Sequence, residues 1–168
     1  MLIFVVAILI AVMAVLLYGV RSKRTNDKQV LDMCKDGDTQ GGLEATNSGI
    51  TVDTKDDKYS RTELMLAAAN GHTKIIDTLL RAGANVNAKD NNGGTALMNA
   101  ARCGRTETVN ALLKAGADIH AKDNFGDTAL MVAKNAEIVN ALLNAGAYIN
   151  ATDESGRTAL MRQQDGSI

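Results

Sequence analysis

Two patterns of hydrophobic residues divide the chain. Residues 1–20 form an unbroken apolar run with no charged side chain and no Asn, Gln, Ser or Thr, and every Lys, Arg, Asp and Glu comes later. A helix of that length rises about 30 Å, which matches the hydrocarbon core of a bilayer. Residues 1–20 are therefore predicted to form a transmembrane helix, followed by a basic juxtamembrane linker at residues 21–26.

The charges that follow the apolar run predict its orientation. Arg21, Lys23, Arg24 and Lys28 lie on its C-terminal side, and basic flanks remain in the cytoplasm, so the rest of the chain is predicted to be cytoplasmic. A cleaved signal peptide has a basic region, a shorter apolar stretch and a small-residue cleavage site, none of which is present here. An uncleaved anchor is favoured. The alternative is cleavage near residue 20 and export to the periplasm or the medium.

Beyond residue 57, a short motif recurs along the chain. A Thr-Ala-Leu-Met tetrad begins at Thr95, Thr128 and Thr158, and a Thr-Glu-Leu-Met variant begins at Thr62, with spacings of 33, 33 and 30 residues. A Leu-Leu pair and an Ala-Gly-Ala triplet follow the tetrads at Thr62, Thr95 and Thr128 in turn. Repetition at this period indicates stacked units that bury their apolar sides against one another.

One unit can be read as two helices and a loop. The threonine is expected to cap a first helix, a glycine such as Gly104 to break it, and a second helix to carry the Leu-Leu pair. The polar stretch at 118–127 then predicts an extended finger. The positions that define this pattern are Thr95, Leu97, Gly104, Leu112, Leu113, Gly116, Thr128, Leu130, Leu142, Leu143 and Gly146.

This pattern resembles the ankyrin repeat, whose period is about 33 residues. Asn70-Gly71-His72, the Leu-Leu pairs and the Ala-Gly-Ala triplets carry the resemblance. It implies an all-α repeat solenoid of helix-turn-helix units with β-turn fingers, here preceded by the N-terminal transmembrane helix. The predicted units are a degenerate N-capping repeat at 27–57, repeats at 58–90 and 91–123, a shortened repeat at 124–153 and a C-capping half repeat at 154–168.

The chain departs from the family pattern in two ways. It has no proline, so Thr-Ala-Leu-Met replaces the usual Thr-Pro-Leu-His opening. Three residues are also missing between Ala133 and Ile138, and we expect a shorter turn between the two helices there, with a local distortion. The last helix is expected to present a polar outer face from residue 162 onward. The methionines at 65, 98, 131 and 161 are interpreted as packing residues between units; the alternative is a row along the inner groove that can repack around a partner.

Composition and motifs give no indication of catalysis. The net charge is −1 and only 3% of residues are aromatic, which does not favour nucleic-acid binding. His72 is expected to stabilise a turn, and His120 replaces a loop asparagine. Neither has a partner at metal-ligand spacing, and no nucleophile–base pair or phosphate loop is visible. No enzymatic activity, metal, cofactor or small-molecule substrate is expected.

The resemblance implies protein binding through a concave surface of finger tips and first helices. Tyr59 and Phe125 occupy equivalent finger tips, and exposed aromatic rings are enriched at interfaces. The alternative is that these rings are buried against a neighbouring finger. Tyr148 replaces the polar residues of sister units and is interpreted as a possible binding edge. The partner is expected to be an unidentified membrane-proximal protein. The predicted partner-binding residues are Tyr59, Asn92, Asn99, Arg102, Phe125 and Tyr148.

Overall fold

The computed structural model of the chain describes residues 32, 53–56 and 58–164. The predicted transmembrane helix at 1–20, the linker at 21–26 and most of the N-capping repeat therefore lie outside the described residues. Within the described part, no helix is long and apolar enough to cross a membrane. The helices, numbered here in chain order, are α1 (Glu63–Asn70), α2 (Thr73–Arg81), α3 (Ala96–Arg102), α4 (Thr106–Lys114), α5 (Ala136–Asn144) and α6 (Ala159–Gln164).

The helices stack in two layers, as the predicted all-α repeat solenoid requires. The first helices α1 and α3 pack on each other, the second helices α2, α4 and α5 pack in sequence, and each of α1 and α3 packs on its own second helix. Among the described residues there is no β-strand, only an isolated bridge between Lys55 and Thr62. Paired alanines at 67–68 and 100–101 are fully buried, which lets neighbouring first helices approach closely.

The core is continuous from unit to unit. Leucine and methionine at the second half of the recurring tetrad are buried in α1 and α3, where Leu64, Met65, Leu97 and Met98 are each 1% exposed. Met131 is equally buried. Burial of such side chains against the neighbouring unit is the main source of stability in a repeat stack. The packing interpretation of these three methionines agrees with the structure.

Threonine caps begin the regular first helices. The Thr62 hydroxyl accepts a hydrogen bond from the backbone N–H of Met65 at 3.4 Å, and Thr95 accepts from Met98 at 3.3 Å. Both caps have extended backbone and satisfy one of the N–H groups that a helix start leaves unpaired. The sequence therefore identified these two helix starts through their threonines.

The shortened unit corrects one expectation. The missing residues were expected to shorten the turn between two helices, but the first helix itself is replaced by turns over residues 129–132. Its backbone hydrogen bonds join residues three apart in sequence; the Met131 N–H, for example, donates to the Thr128 carbonyl at 3.1 Å. The segment then rejoins its neighbour through the Lys134 N–H, which donates to the Ala101 carbonyl at 3.1 Å. A segment shorter by three residues cannot complete the helix and still place α5 in register.

The C-terminal unit corrects a second expectation. Met161 was expected to pack between units, but Leu160 is 65% and Met161 50% exposed. These residues match Leu97 and Met98, which a following unit covers, and within the described residues no unit follows α6. Arg162, expected to face solvent, instead bonds Asp127 and lies 4.0 Å from the Asp153 carboxylate, with its side chain 18% exposed. The charge of this guanidinium is therefore used between units and not on the outer face.

Candidate protein-binding groove

A groove of about 240 Å³ runs between the finger loops and α3. We call it the finger groove. It brings together five of the predicted partner-binding residues and excludes Tyr148. Its lining residues are Tyr59, Arg61, Asp90, Asn92, Gly94, Met98, Asn99, Arg102, Asp123 and Phe125.

Each finger is a tight turn organised by an aspartate. The Asp123 Oδ1 atom accepts hydrogen bonds from the backbone N–H groups of Phe125 and Asp127, both at 2.9 Å. Asp90 makes the same pair of bonds in the preceding finger, at 2.9 and 2.8 Å. A short carboxylate that bonds its own backbone two and four residues ahead fixes the turn without help from the rest of the fold. The position of the tip residue is therefore set locally.

Glycines let successive fingers lie in contact. Gly93 and Gly126 have φ values of +76° and +78°, a conformation that favours glycine. A Cβ atom on Gly126 would lie 2.7 Å from the backbone nitrogen of Glu154, and one on Gly93 would lie 3.0 Å from that of Asn124. Any side chain at these two positions would force neighbouring fingers apart. The glycines thus fix the spacing of the tips as well as the turn.

Hydrogen bonds join each fingertip to the next. Every tip residue of the central fingers accepts a bond at its carbonyl from the following finger, so its backbone is held while its side chain stays free for other contacts. The donor and acceptor pairs are Asn91 to Tyr59 at 3.0 Å, Asn124 to Asn92 at 2.8 Å and Glu154 to Phe125 at 3.0 Å.

A row of lysines joins the bases of the same fingers. The Lys55 ammonium group donates to the Lys89 backbone carbonyl at 3.2 Å. In the same way the Lys89 ammonium donates to the Lys122 carbonyl at 2.8 Å, and the Lys122 ammonium donates to the Thr152 carbonyl at 2.7 Å. Each lysine thus bonds the equivalent residue of the next unit. We call this the lysine ladder. It continues across the shortened unit, so the loss of a helix there leaves the finger side of the stack intact.

The aromatic tips are exposed rather than buried against neighbouring fingers. Phe125 is 62% and Tyr59 is 40% exposed. The Tyr59 ring also lies near two cations, with the Lys58 ammonium 4.8 Å and the Arg61 guanidinium 4.9 Å from its centroid. Such cation–π contacts hold the ring in place at modest energy. Phe125 has no such neighbour among the ring contacts of the described residues.

The two arginines of the groove differ in how closely they are paired with carboxylates. Arg61 forms a 2.8 Å ion pair with Asp56. Burial would raise the pKa of Asp56, but hydrogen bonds from the backbone of Tyr59 and Arg61, together with the Arg61 guanidinium, hold it below its ordinary value. Arg102 makes a longer contact of 3.8 Å with the Asp123 carboxylate, and its side chain is 58% exposed. Arg102 therefore keeps most of its donor capacity.

Tyr148 lies outside the finger groove, in the loop after α5. At equivalent positions Asn85 and Asp118 accept a hydrogen bond from the backbone two residues ahead, at 3.0 and 2.8 Å. Tyrosine cannot make this turn bond. Its ring instead stacks on His120, with centroids 4.1 Å apart and an interplanar angle of 23°. Tyr148 is 68% exposed, so its role as a separate binding edge stays a prediction.

Away from the groove, Glu63 is a buried carboxyl group. It is 1% exposed at the position where the next two units have Ala96 and Ala129, and neither of its carboxylate oxygens has a hydrogen-bond partner of normal geometry in the described structure. Burial raises the pKa of Glu63 to about 7, although the nearby Thr54 acts in the opposite direction. A carboxyl group of this kind costs stability when it ionises.

Ion pairs hold the C-terminal helix to the fingers. The hydrogen bond with Asp127 raises the pKa of Arg162, and backbone hydrogen bonds, the strongest from Arg157, lower that of Asp153. Asp127 and Asp153 are 6% and 7% exposed. The charges of this cluster serve packing between units. Across the described residues no three His, Cys, Asp or Glu side chains gather in a way that could hold a metal ion.

Sequence reasoning missed several residues that line the groove. Arg61, Asp90 and Asp123 were not singled out as site residues, and Met98 was interpreted mainly as a packing residue, because the aspartates and the methionine recur with the period of the repeat. A usable signal was present in Asp90 and Asp123, since each aspartate lies two residues before a finger tip and bonds the backbone of that tip. Arg61 carried no such periodic signal.

Comparison with known families identifies the fold. The family profile described as "Ankyrin repeats (3 copies)" matches residues 34–123, and the profile "Ankyrin repeat" matches residues 125–154. The chain belongs to the ankyrin-repeat family, as its sequence pattern predicted. Members of this family are typically non-enzymatic modules for protein–protein interaction. No curated protein matches the chain.

Proposed function

We propose that this protein is a membrane-anchored ankyrin module that binds a protein partner in the finger groove. The observation that carries the proposal is Phe125, a ring that is 62% exposed on a finger whose backbone is fixed by Asp123 and Glu154. A large ring on a rigid support loses little entropy on binding, and aromatic side chains are enriched among the residues that dominate interface energy.

The size of the groove favours a protein segment over a small substrate. Its volume of about 240 Å³ is below the range of roughly 300–1,000 Å³ that is usual for small-molecule sites. A groove of this size holds one or two side chains of a larger partner, while the remaining contact area comes from neighbouring fingers. The family to which the chain belongs supports the same class of function.

The anchoring part of the proposal rests on the sequence. Residues 1–20 are long enough and apolar enough for one crossing, and the basic residues at 21–28 favour a cytoplasmic repeat domain. A partner would then be a membrane protein or a protein recruited to the inner face. Fractionation of cells with protease added to sealed cells and to inverted vesicles tests this topology. If the protein is found soluble outside the cytoplasm and begins near residue 21, the anchored module is ruled out and the chain is an exported binding protein.

Site-specific photocrosslinking tests the groove. A photoreactive amino acid at Asn92, on the rim of the groove, is expected to give a discrete crosslinked species in cells that express the full chain. The matched control carries the same amino acid at Lys114, an exposed residue at the end of α4 outside the groove. Crosslinking from both positions alike, or from Lys114 alone, would contradict binding in the finger groove.

A further inference from the structure

We infer that the finger groove selects an acidic segment, in which a carboxylate binds Arg102 and an apolar side chain a few residues away contacts Phe125. This inference rests on the proposed function and names the chemistry of the partner. It follows from two observations. The carboxylates of the groove make internal hydrogen bonds while Arg102 is mostly free, and Asp123 contacts both Arg102 and the backbone of Phe125.

The carboxylates that line the groove are already committed to internal bonds. Asp90 and Asp123 each use Oδ1 to accept two backbone hydrogen bonds within their own finger. The Asp123 side chain is only 4% exposed. A carboxylate that is turned inward and hydrogen-bonded projects little negative potential toward a partner. The acidic residues of the lining therefore do not repel an acidic ligand strongly.

The cations are more available than the anions. Arg102 is 58% exposed and makes one ion contact of 3.8 Å, which leaves several of its N–H donors for a partner. Arg61 is 35% exposed and bonds Asp56, and its guanidinium lies 4.9 Å from the centroid of the Tyr59 ring. A guanidinium matches a carboxylate with two parallel hydrogen bonds, which makes Arg102 the natural recognition group.

Asp123 links the two recognition elements. One of its oxygens lies 3.8 Å from the Arg102 guanidinium, and the other accepts from the backbone N–H of Phe125 at 2.9 Å. A single side chain thus contacts both the cation and the backbone of the residue that carries the exposed ring, and both residues line the same groove. An extended peptide advances about 3.3 Å per residue, so a carboxylate and an apolar side chain one to three residues apart can reach both.

Two matched peptide pools test this preference against the full-length chain kept in detergent. One pool contains seven-residue peptides with a glutamate two positions before a phenylalanine or leucine, and the other has glutamine in place of the glutamate. We expect the glutamate pool to bind roughly tenfold more tightly in fluorescence anisotropy, the gain typical of a charge-assisted hydrogen bond. Arg102→Gln should abolish the difference in affinity between the pools. Arg102→Lys should keep part of that difference, because lysine keeps the charge but lacks the two parallel N–H donors.

Arg81→Gln is the matched control, since Arg81 is an exposed arginine at the end of α2 and does not line the groove. It should leave the preference unchanged. Equal binding of the two pools, or a preference that survives Arg102→Gln, would overturn the acidic preference. Neither result bears on crosslinking from Asn92, so failure of this inference and failure of the proposed function can be told apart.

Discussion

The regular unit at 91–123 and the shortened unit at 124–153 solve the same packing problem differently. The regular unit has a capped first helix, α3, whereas the shortened one fills the same space with turns at 129–132. Leu130 and Met131 are still 5% and 1% exposed there. The fingers and the second helix α5 are retained. This stack therefore needs buried side chains and continuous fingers more than it needs every first helix.

The largest expected effect comes from removing a core leucine in each unit. Leu97→Ala should lower the free energy of unfolding by about 2–5 kcal/mol, because a cavity forms between helices that cannot close around it. Leu130→Ala should cost less, near the lower end of that range, because turns relax more easily than a helix. Urea unfolding followed by circular dichroism measures both. An equal or larger loss for Leu130→Ala would mean that the turn segment is as rigid as α3.

A second comparison uses the position occupied by Glu63, Ala96 and Ala129. The folded-state pKa of Glu63 is raised to about 7 from an ordinary value of 4.5, so its stability contribution is fully present below pH 4.5 and is lost as the pH rises to about 7. Glu63→Ala should therefore stabilise the protein at pH 8 by up to about 3 kcal/mol.

The control for Glu63→Ala is the same substitution measured at pH 4.5. There the benefit should be small, because the wild-type carboxyl group is neutral when folded. Urea midpoints at the two pH values give the answer. A gain at pH 4.5 as large as that at pH 8 would show that packing, and not ionisation, separates this unit from its alanine-bearing sisters.

Substitution of the threonines at the start of the two units should affect stability differently. Thr95→Ala removes the cap of α3 and should cost about 1 kcal/mol. The Thr128 hydroxyl is buried without a hydrogen-bond partner in the described structure, so Thr128→Val should be neutral or stabilising by about 1 kcal/mol. Thermal or urea unfolding distinguishes them. A loss of similar size at both positions would mean that Thr128 caps a helix after all.

The smallest expected effect concerns the lysine ladder. Lys89→Met and Lys122→Met should each cost less than about 1 kcal/mol, because the bonds are solvent-exposed. The two values should agree closely, since the ladder crosses the shortened unit unchanged. Parallel urea titrations of the two variants make the comparison. A clearly larger loss for Lys122→Met would show that the shortened unit depends on this bond more than its regular neighbour does.

Much of the fold could be predicted from the sequence because its determinants are local. Thr62 and Thr95 marked helix starts, and the recurring methionines marked contacts between units. The loss of the first helix in the shortened unit could not be predicted. The three-residue gap could have shortened either the turn or the helix, and packing against the neighbouring units decides between them. The inward position of Arg162 also depends on Asp127, which lies 35 residues away in sequence.

The site was predictable to a similar degree. Phe125 and Arg102 were identified because equivalent positions in a repeat share equivalent places in the stack. The stacking of Tyr148 on His120 could not be predicted, because it replaces a local turn bond with a contact between units. The contacts of Asp123 with both Arg102 and Phe125 could not be predicted either, since a turn-forming aspartate recurs along the chain and suggests only a structural role.

The central claim is that the finger groove is built for binding and that Phe125 is not needed for folding. Its most direct test is the yield of the Asn92 crosslink in Phe125→Ala relative to wild type, measured with both proteins equally folded. We expect the crosslink to fall to the level of the Lys114 control while the free energy of unfolding changes by less than about 0.5 kcal/mol. A crosslink of undiminished yield, or a stability loss of several kcal/mol, would contradict it.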